Sequence, residues 1–422
     1  MELYQHQKDI IAMNPLWHGL WLGTGSSKTR TSLELAEEST LVIVEKQLKL
    51  EKKFEEENKK FNINKNITVM SKEEFRKLWD EIPYYDTVIT DEAHNFFGVS
   101  TDTQTRKGII KPKTSQMFLS LYNYLNKHKP KRFYPLTATP MSKPMNLYAI
   151  AALFGRRWDF FKFRSRFYIE RKKGFRSIWI PRGDKSSQDR LIELLKEFGT
   201  TGKLDDWFDV PEQTHRTVHV EPSVQQRRAI LEIQNSDADP MSVRARVRTV
   251  ENGILYNTVT TTDDGKEFIM SKETQYFDDA KIPEIVKLCE EFPKVLVFAN
   301  YTAQVERIAK ELSELGYNVS TLTGKTKDRN SVIENARNSE KSVMVIQAQI
   351  SAGYELPGFT CTIFASKNNR FLCYQQALGR TLRANHLQKN LFVHLVTKGG
   401  PDEACHKSIM TGEDFYEKQF ND

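Results

Sequence analysis

At 422 residues, 39% hydrophobic and 28% charged, the chain is long enough for two or three domains with real cores and is neither a disordered nor a collagen-like polymer. No apolar run reaches the ~18–20 residues that cross a bilayer, Met1-Glu2-Leu3-Tyr4-Gln5-His6-Gln7 does not open a secretory signal, and four scattered cysteines (Cys289, Cys361, Cys373, Cys405) argue against a disulfide framework or zinc site, so a cytoplasmic protein is expected. The net charge is +7, yet residues 156–190 hold 12 basic and 4 acidic side chains and leave the remainder near neutral.

In chain order, apolar strands are expected at Trp17–Leu22, Leu41–Val44, Thr68–Met70, Thr87–Thr90 and Phe133–Leu136. They alternate with helical patterns such as Thr31–Glu38, as a helix-covered parallel sheet should. The mixed-charge run 45–60, punctuated by Leu48, Leu50 and Phe54, reads as a solvated helix face. Residues 141–280 read differently: a basic aromatic stretch, a helix at Leu191–Phe198, a break at Val210-Pro211 and a helix over 224–234. An extended hairpin follows over 250–277, turning at Asp263-Asp264-Gly265. Strands then resume at Val295–Phe298, Val319–Leu322, Val343–Ile346, Cys361–Phe364 and Phe392–Leu395. The expected architecture is α/β, with a first lobe over 1–215, an insertion in it at about 141–200, a linker over 216–277 and a second lobe over 278–422.

In the basic stretch, Trp158, Phe160, Phe161, Phe163, Phe167, Tyr168, Phe175 and Trp179 interleave with the cations. That mixture suits a polyanion-binding surface; the rings could equally be the core of a small insertion. Arg164, Arg166, Arg171, Lys172, Lys173 and Arg176 are the expected phosphate contacts, with Lys107, Lys111 and Lys113 as further candidates.

Leu22-Gly23-Thr24-Gly25-Ser26-Ser27-Lys28-Thr29 sits between an apolar strand and a helical pattern. A strand, tight loop and helix in that order aim backbone N–H groups at a phosphate. Lys28 would reach the β/γ-phosphates of a nucleotide and the Thr29 hydroxyl would ligate Mg²⁺. The usual pattern has glycine where Ser27 stands, and a serine there is expected to need a negative φ; an ordinary Gly/Ser turn is the alternative. Thr87-Val88-Ile89-Thr90 ends in Asp91-Glu92-Ala93-His94. Asp91 can hold Mg²⁺ at the strand's C-terminal end, and Glu92 can polarise an attacking water. A solvated loop start with a capping Asp is the bland alternative. His6 and His18 read as packing or surface histidines, since no ligand cluster accompanies them.

With Leu136-Thr137-Ala138-Thr139-Pro140 downstream, Asp91-Glu92-Ala93-His94 resembles motifs II and III of superfamily 2 helicases and translocases. Leu3-x-x-x-Gln7 resembles their adenine-reading Gln motif, Gly353-Tyr354-Glu355-Leu356-Pro357 their motif V, and Gln376-Ala377-Leu378-Gly379-Arg380-Thr381-Leu382-Arg383 their motif VI. Val297-Phe298-Ala299-Asn300 and Thr323-Gly324, followed by Arg329, resemble the elements between. A finer likeness to the Swi2/Snf2 branch, and to compact phage or bacterial members, rests on Asn146-Leu147-Tyr148, Phe167-Tyr168, Val210-Pro211-Glu212, Leu395–Gly399 and Asp402-Glu403.

The resemblance implies two RecA-like lobes with ATP and Mg²⁺ between them, and a basic linking region. It implies ATP contacts from Gln7, Gly23, Thr24, Gly25, Ser26, Ser27, Lys28, Thr29, Gly353 and Glu355, and metal ligation by Thr29 and Asp91. Catalysis would fall to Lys28, Asp91, Glu92, Gln376, Arg380 and Arg383, and coupling to His94, Thr137 and Thr139, with His94 bridging the lobes. The implied activity is ATP-driven movement on single-stranded, forked or branched DNA in replication, recombination or repair, by a monomer. Alternatives are a duplex translocase that never parts strands, an RNA helicase, and a nucleotide-gated binding module with weak hydrolysis, the last motivated by Ser27. Glu355 stands where the family usually has Asp or Asn, and Pro135 is unusual inside a strand unless that strand starts late or is an edge.

Overall fold

The computed structural model describes residues 2–106, 108–173, 176–208, 212–263, 266–350, 354, 356, 358–381 and 389–412. The chain forms two compact units, Met1–Phe208 and Asp209–Asp422, and residues 216–277 lie within the second.

The strands of the first unit are β1 (Gly19–Leu22), β2 (Ser39–Val44), β3 (Asn66–Ser71), β4 (Thr87–Thr90), β5 (Val99–Arg106), β6 (Ile109–Thr114), β7 (Arg132–Pro135), β8 (Tyr168–Lys173), β9 (Arg176–Pro181) and β10 (Gly199–Gly202). Four of them make an all-parallel sheet in the order β3-β2-β4-β7. β2 and β4 are buried almost end to end, which is why they read as continuous Val/Ile/Thr runs without alternation. β1 pairs in parallel with β10, and a Cβ at Gly199 would lie 2.1 Å from the Gly19 carbonyl oxygen, so only glycine lets the two strands close.

The segments of β1 and β7 meet through two single bridges, Trp17↔Phe133 just ahead of β1 and Leu20↔Leu136 just beyond β7. The reason is Pro135. The amides of Phe133 and Thr137 donate toward β1, to Leu16 O and Leu20 O. Residue 135 would be the donor between them, and proline has none. Pro135 thus sits at a break in the ladder and terminates β7, which resolves its unusual position.

The run 45–60 forms two short helices, Lys46–Leu50 and Lys53–Lys60, with Leu48 and Phe54 buried and the charges outside. In the basic stretch the helix Phe160–Phe167 buries Phe160, Phe163 and Phe167. These pack with Tyr168, Leu191, Leu195 and Phe198, while Trp158 and Trp179 pack at the margin. The buried rings are therefore packing residues, as one of the two readings held, but they join the main core of the first unit with Leu41, Val88 and Phe133 instead of forming a separate insertion core; Phe161 is exposed, and Phe175 lies outside the described residues.

In the second unit the strands are β11 (Gln213–Val220), β12 (Ile254–Asp263), β13 (Lys266–Tyr276), β14 (Lys294–Ala299), β15 (Val319–Leu322), β16 (Ser342–Gln347), β17 (Cys361–Phe364) and β18 (Asn390–Thr397). Six form a parallel sheet, β11-β18-β17-β14-β16-β15. Its centre is covered on both faces: Val295, Val297 and Ala299 of β14 join one core, Leu296 and Phe298 the other. β12 and β13 are the expected hairpin, preceded by helices Val224–Gln234 and Pro240–Glu251.

A buried polar network fastens the second of those helices to the sheet. Lys281 Nζ donates to Asp402 Oδ2 at 2.7 Å, Asn252 Oδ1 at 2.7 Å and Ala365 O at 2.8 Å. Asp402 Oδ2 also accepts from the Thr397 amide, and Glu251 accepts the Asp402 amide at 2.8 Å. Burial and the Asp402 charge push the Glu251 carboxyl up to about 8. Arg248 donates to Lys367 O and Cys405 Sγ.

Three imidazoles lie beside this network. His394 is buried in β18, its Nε2 3.2 Å from His215 Nδ1, and the His406 ring is 5.4 Å away. Burial, then Lys367, His406 and His215, push His394 down to about 2. The unfolded chain therefore takes up a proton below ~6.5 that the folded chain refuses, and stability falls as the pH drops through that value, by up to ~1.4 kcal/mol per pH unit. Glu251 titrates with the opposite sign between its unfolded and folded values. The prediction is therefore a difference: relative to wild type, His394→Phe gains stability steadily as urea unfolding is measured from pH 7 down to pH 5. A constant difference would place the charge cost elsewhere.

Candidate nucleotide site and nucleic-acid surface

β1 delivers the chain into the phosphate-loop candidate, and the helix Lys28–Leu35 follows it. Ser27 caps that helix with φ 58°, ψ 36°, so the expected negative φ is wrong: the serine takes the left-handed conformation that favours glycine. A Cβ in that region costs roughly 1–2 kcal/mol. Ser27→Gly is accordingly expected to raise the melting temperature of the first unit, by a stabilisation of ~0.5–1 kcal/mol. A lower melting temperature would show that the serine side chain repays its strain.

The loop is held from three sides. Ser26 Oγ donates to Gly23 O at 2.6 Å, and Lys28 Nζ donates to Leu22 O at 2.9 Å and Gly23 O at 3.0 Å, so the ammonium lies folded over the loop. From the helix Gln5–Met13, Gln7 Nε2 donates to Thr31 Oγ1 at 3.1 Å and Ser27 O at 3.4 Å, while Gln7 Oε1 accepts the Tyr4 amide. His6 is packed, as expected, stacked on Trp207 with centroids 4.4 Å apart; its Nε2 also donates to Ser26 O at 3.1 Å. Nothing in the sequence marked that bond, which joins residues twenty apart. Thr24, Gly25 and Thr29 stay half-buried along the rim, with Gly25 at φ 85°.

The carboxylates sit at the end of β4. Asp91 N donates to Ile43 O at 2.8 Å and Ala93 N to Leu136 O at 2.9 Å, pinning the turn between β2 and the segment after β7. Glu92 has φ 45°. Burial first, then the adjacent Glu92, push the Asp91 carboxyl up to about 6, with Lys28 and Lys53 pulling it back. Lys28 and Asp91 therefore feel one another across the loop ends. Lys53, read from the sequence as part of a solvated helix face, belongs to the same field.

His94 Nδ1 lies 3.1 Å from Thr137 Oγ1 and 3.3 Å from Glu92 Oε2, and Thr139 N donates to Thr137 Oγ1 at 3.1 Å. The three coupling candidates thus join one another and Glu92, all within the first unit. Asn95 adds a bond to Glu45 Oε1, which also takes Lys72. A hydroxyl and a carboxylate are the hard oxygen donors Mg²⁺ takes, and a carboxylate whose charge is disfavoured by its surroundings suits an arriving cation. Among the described residues no group of three or more His, Cys, Asp or Glu could hold a metal alone, so the fit is to Mg²⁺ brought with phosphates.

In the second unit Gln376 lies on the helix Phe371–Leu378, with Arg380 just beyond. Arg380 is buried: Nε donates to Gln376 O at 2.8 Å, a second guanidinium nitrogen to Tyr354 O at 2.5 Å, and the guanidinium lies 5.5 Å from the centre of the Tyr354 ring. Leu356 N closes the group on Arg380 O. The motif V and motif VI candidates are brought together here, and Arg380 serves to tie them. Gly353, Glu355 and Arg383 lie outside the described residues.

Arg164 donates to Thr101 O at 2.8 Å and lies 3.9 Å over Trp179, so it is committed to packing. Arg166, Arg171 and Lys172 are exposed, as are Lys111 and Lys113 on β6. Lys107 and the side chains of Lys173 and Arg176 lie outside what is described.

Parallel α/β sheets in both units define the class: two RecA-like lobes, the first carrying the loop and the acidic strand end. Residues 280–385 match the helicase conserved C-terminal domain, which places that part of the chain in superfamily 2. The chain is distantly similar to the pre-mRNA-splicing ATP-dependent RNA helicase PRP28 of Coccidioides immitis, 25% identical over 141 residues, 33% of this chain and 17% of that protein. The Schizosaccharomyces pombe protein of that name is 27% identical over 113 residues, covering 25% and 17%. The Neurospora crassa one is 21% identical over 209 residues, covering 48% and 28%. The chain thus spans less than a third of the length of these relatives. No helix among the described residues is long and apolar enough to cross a membrane.

Proposed function

We propose that this chain is an ATP-dependent DNA helicase or translocase that remodels forked or branched DNA. The observation that carries the reading is that one RecA-like unit holds both the strand–loop–helix with Lys28 Nζ folded over the loop and the Asp91-Glu92 turn at the end of β4, in a chain whose residues 280–385 match a helicase C-terminal domain. The loop amides and Lys28 cradle the β/γ-phosphates, and Gln7 reads the base while steadying the loop through Ser27. Thr29 and Asp91 would hold Mg²⁺, which would supply positive charge against the phosphate oxygens. Glu92 orients the attacking water and His94 fixes the Glu92 carboxylate, while Thr137 carries the change toward the nucleic acid. Gln376, Arg380 and Arg383 belong to the same reaction, Arg380 by holding motif VI against Tyr354 and Arg383 by countering charge on the transferred group. Arg166, Arg171 and Lys172 take phosphates of the strand.

DNA is preferred over RNA on the Swi2/Snf2-like residues around Asn146, Tyr168 and Asp402. The named activity of the relatives favours RNA as the second reading. ATP turnover measured alone and with single-stranded, duplex and forked DNA and with RNA decides between them, beside Lys28→Ala. Strong stimulation by DNA, absent in the variant, is expected. Larger stimulation by RNA would install the second reading, and no turnover with any nucleic acid would remove the motor.

A further inference from the structure

The basic insertion turns its aromatic rings inward and leaves a different apolar set in water. In the β8–β9 hairpin Ile169 stands opposite Ile180, and Arg171 opposite Ile178. Residues two apart on a strand share a face, so these four occupy one side of the ribbon. Ile169, Ile178 and Ile180 are 46%, 45% and 37% exposed.

The other side is anchored. Tyr168 is buried, with its hydroxyl oxygen accepting the Met145 amide at 3.0 Å. Trp179 lies under the Arg164 guanidinium, and Arg182 N closes the base of the hairpin on Phe167 O at 2.9 Å. Single exposed isoleucines are ordinary, but three on one face of a firmly seated two-stranded ribbon form a patch. The charge around them says what covers it. Arg171 and Lys172 are exposed on the same hairpin, in a stretch with 12 basic and 4 acidic side chains. The occupant must be polyanionic and yet offer apolar faces, which unstacked nucleobases do.

We propose that the isoleucine face of the β8–β9 hairpin is an apolar wedge that packs on nucleobases where a duplex opens, with Arg171 taking a neighbouring phosphate. The inference rests on the nucleic-acid motor reading and gives that surface its substrate: the junction between paired and unpaired strands. β-Branched side chains suit the task because their χ1 is nearly fixed, so the blade keeps its shape against a stack of bases.

The test uses the full chain and the variant I169S/I178S/I180S, with I169L/I178L/I180L as the apolar control. All three positions are exposed, so both variants should melt with wild type. A forked DNA duplex carries 2-aminopurine in the base pair at the fork, and its emission is read without ATP. Wild type and the leucine variant should raise it; the serine variant should not. With ATP, fork unwinding should fall about tenfold or more in the serine variant, while ATPase stimulation by single-stranded DNA stays within about twofold of wild type. Unchanged emission and unwinding in the serine variant would overturn the wedge, as would a wild-type protein that hydrolyses ATP on DNA but disturbs no fork base pair. Loss of stimulated ATPase in step with unwinding would make the face part of the general grip, and a change confined to self-association would make it a protein interface; either overturns the wedge. Loss of all DNA-stimulated turnover in wild type is the separate failure of the motor reading, because the emission measurement does not need it.

Discussion

Glu92→Gln is expected to bind ATP as well as the wild-type chain and to hydrolyse it ~10²–10⁴-fold more slowly, the range a positioned general base contributes. The substitution removes a charge and almost nothing else. The left-handed backbone at φ 45° is no harder for Gln than for Glu, and the amide oxygen can still meet His94, 3.3 Å from the present carboxylate. Removing the Glu92 charge also relieves Asp91, whose carboxyl it pushes up, so metal–nucleotide binding should hold or improve. Fluorescent-nucleotide titration beside single-turnover hydrolysis checks both halves. Turnover close to wild type would remove Glu92 from the water-positioning role, and loss of affinity would make it a binding residue.

The second large effect is structural. Asp402→Ala should cost the second unit ~3–5 kcal/mol, because the buried Lys281 ammonium would lose the carboxylate it bonds and keep only the Asn252 and Ala365 oxygens. Lys281 and Asp402 are 1% and 5% exposed at the side chain, so water cannot substitute for the missing partner. The Thr397 amide would lose its acceptor in the same stroke. Replacing both partners, Lys281→Met with Asp402→Leu, should recover part of the loss, since paired removal abandons no charge. Calorimetry or urea unfolding reads both; a mild effect of the single change would mean that the network is not carrying the charge.

Much of this architecture is readable before any coordinates. Thr87–Thr90 and Cys361–Phe364 are strands over the residues that the apolar runs delimit, because a strand covered on both faces reads as a near-continuous apolar run; Val319–Leu322 also keeps its expected bounds, although it is a half-buried edge strand. β11 escapes the same reading. It is an edge strand, largely exposed, and Gln213, His215, Arg216 and His219 give it no apolar run. The β5–β6 and β8–β9 hairpins escape it too, since lysines and arginines mask the alternation.

In the site, local spacing reveals the loop and the Asp91-Glu92 pair. It does not reveal contacts that the fold makes between distant residues: His6 with Ser26, Arg380 with Tyr354, Lys53 with the field at Asp91. Ser27 is the instructive reversal. The residue type suggested one sign of φ, and the neighbours that hold the loop, Gln7 on Ser27 O and Ser26 on Gly23 O, impose the other.

Pro135 has a consequence for how the first unit can deform. By withholding one amide it divides the sheet into two leaves: β1 with β10, carrying the Gly23–Thr29 loop, and the four strands from β3 to β7, carrying the acidic turn. A full ladder would make the leaves shear as one. Across a seam held by backbone hydrogen bonds from His18 to Phe133, Phe133 to Leu16 and Thr137 to Leu20, the loop-bearing leaf is tied less firmly to the other than a full ladder would tie it. A single imino acid thus places the looser seam beside the Gly23–Thr29 loop and leaves Asp91 and Glu92 on the fully laddered side.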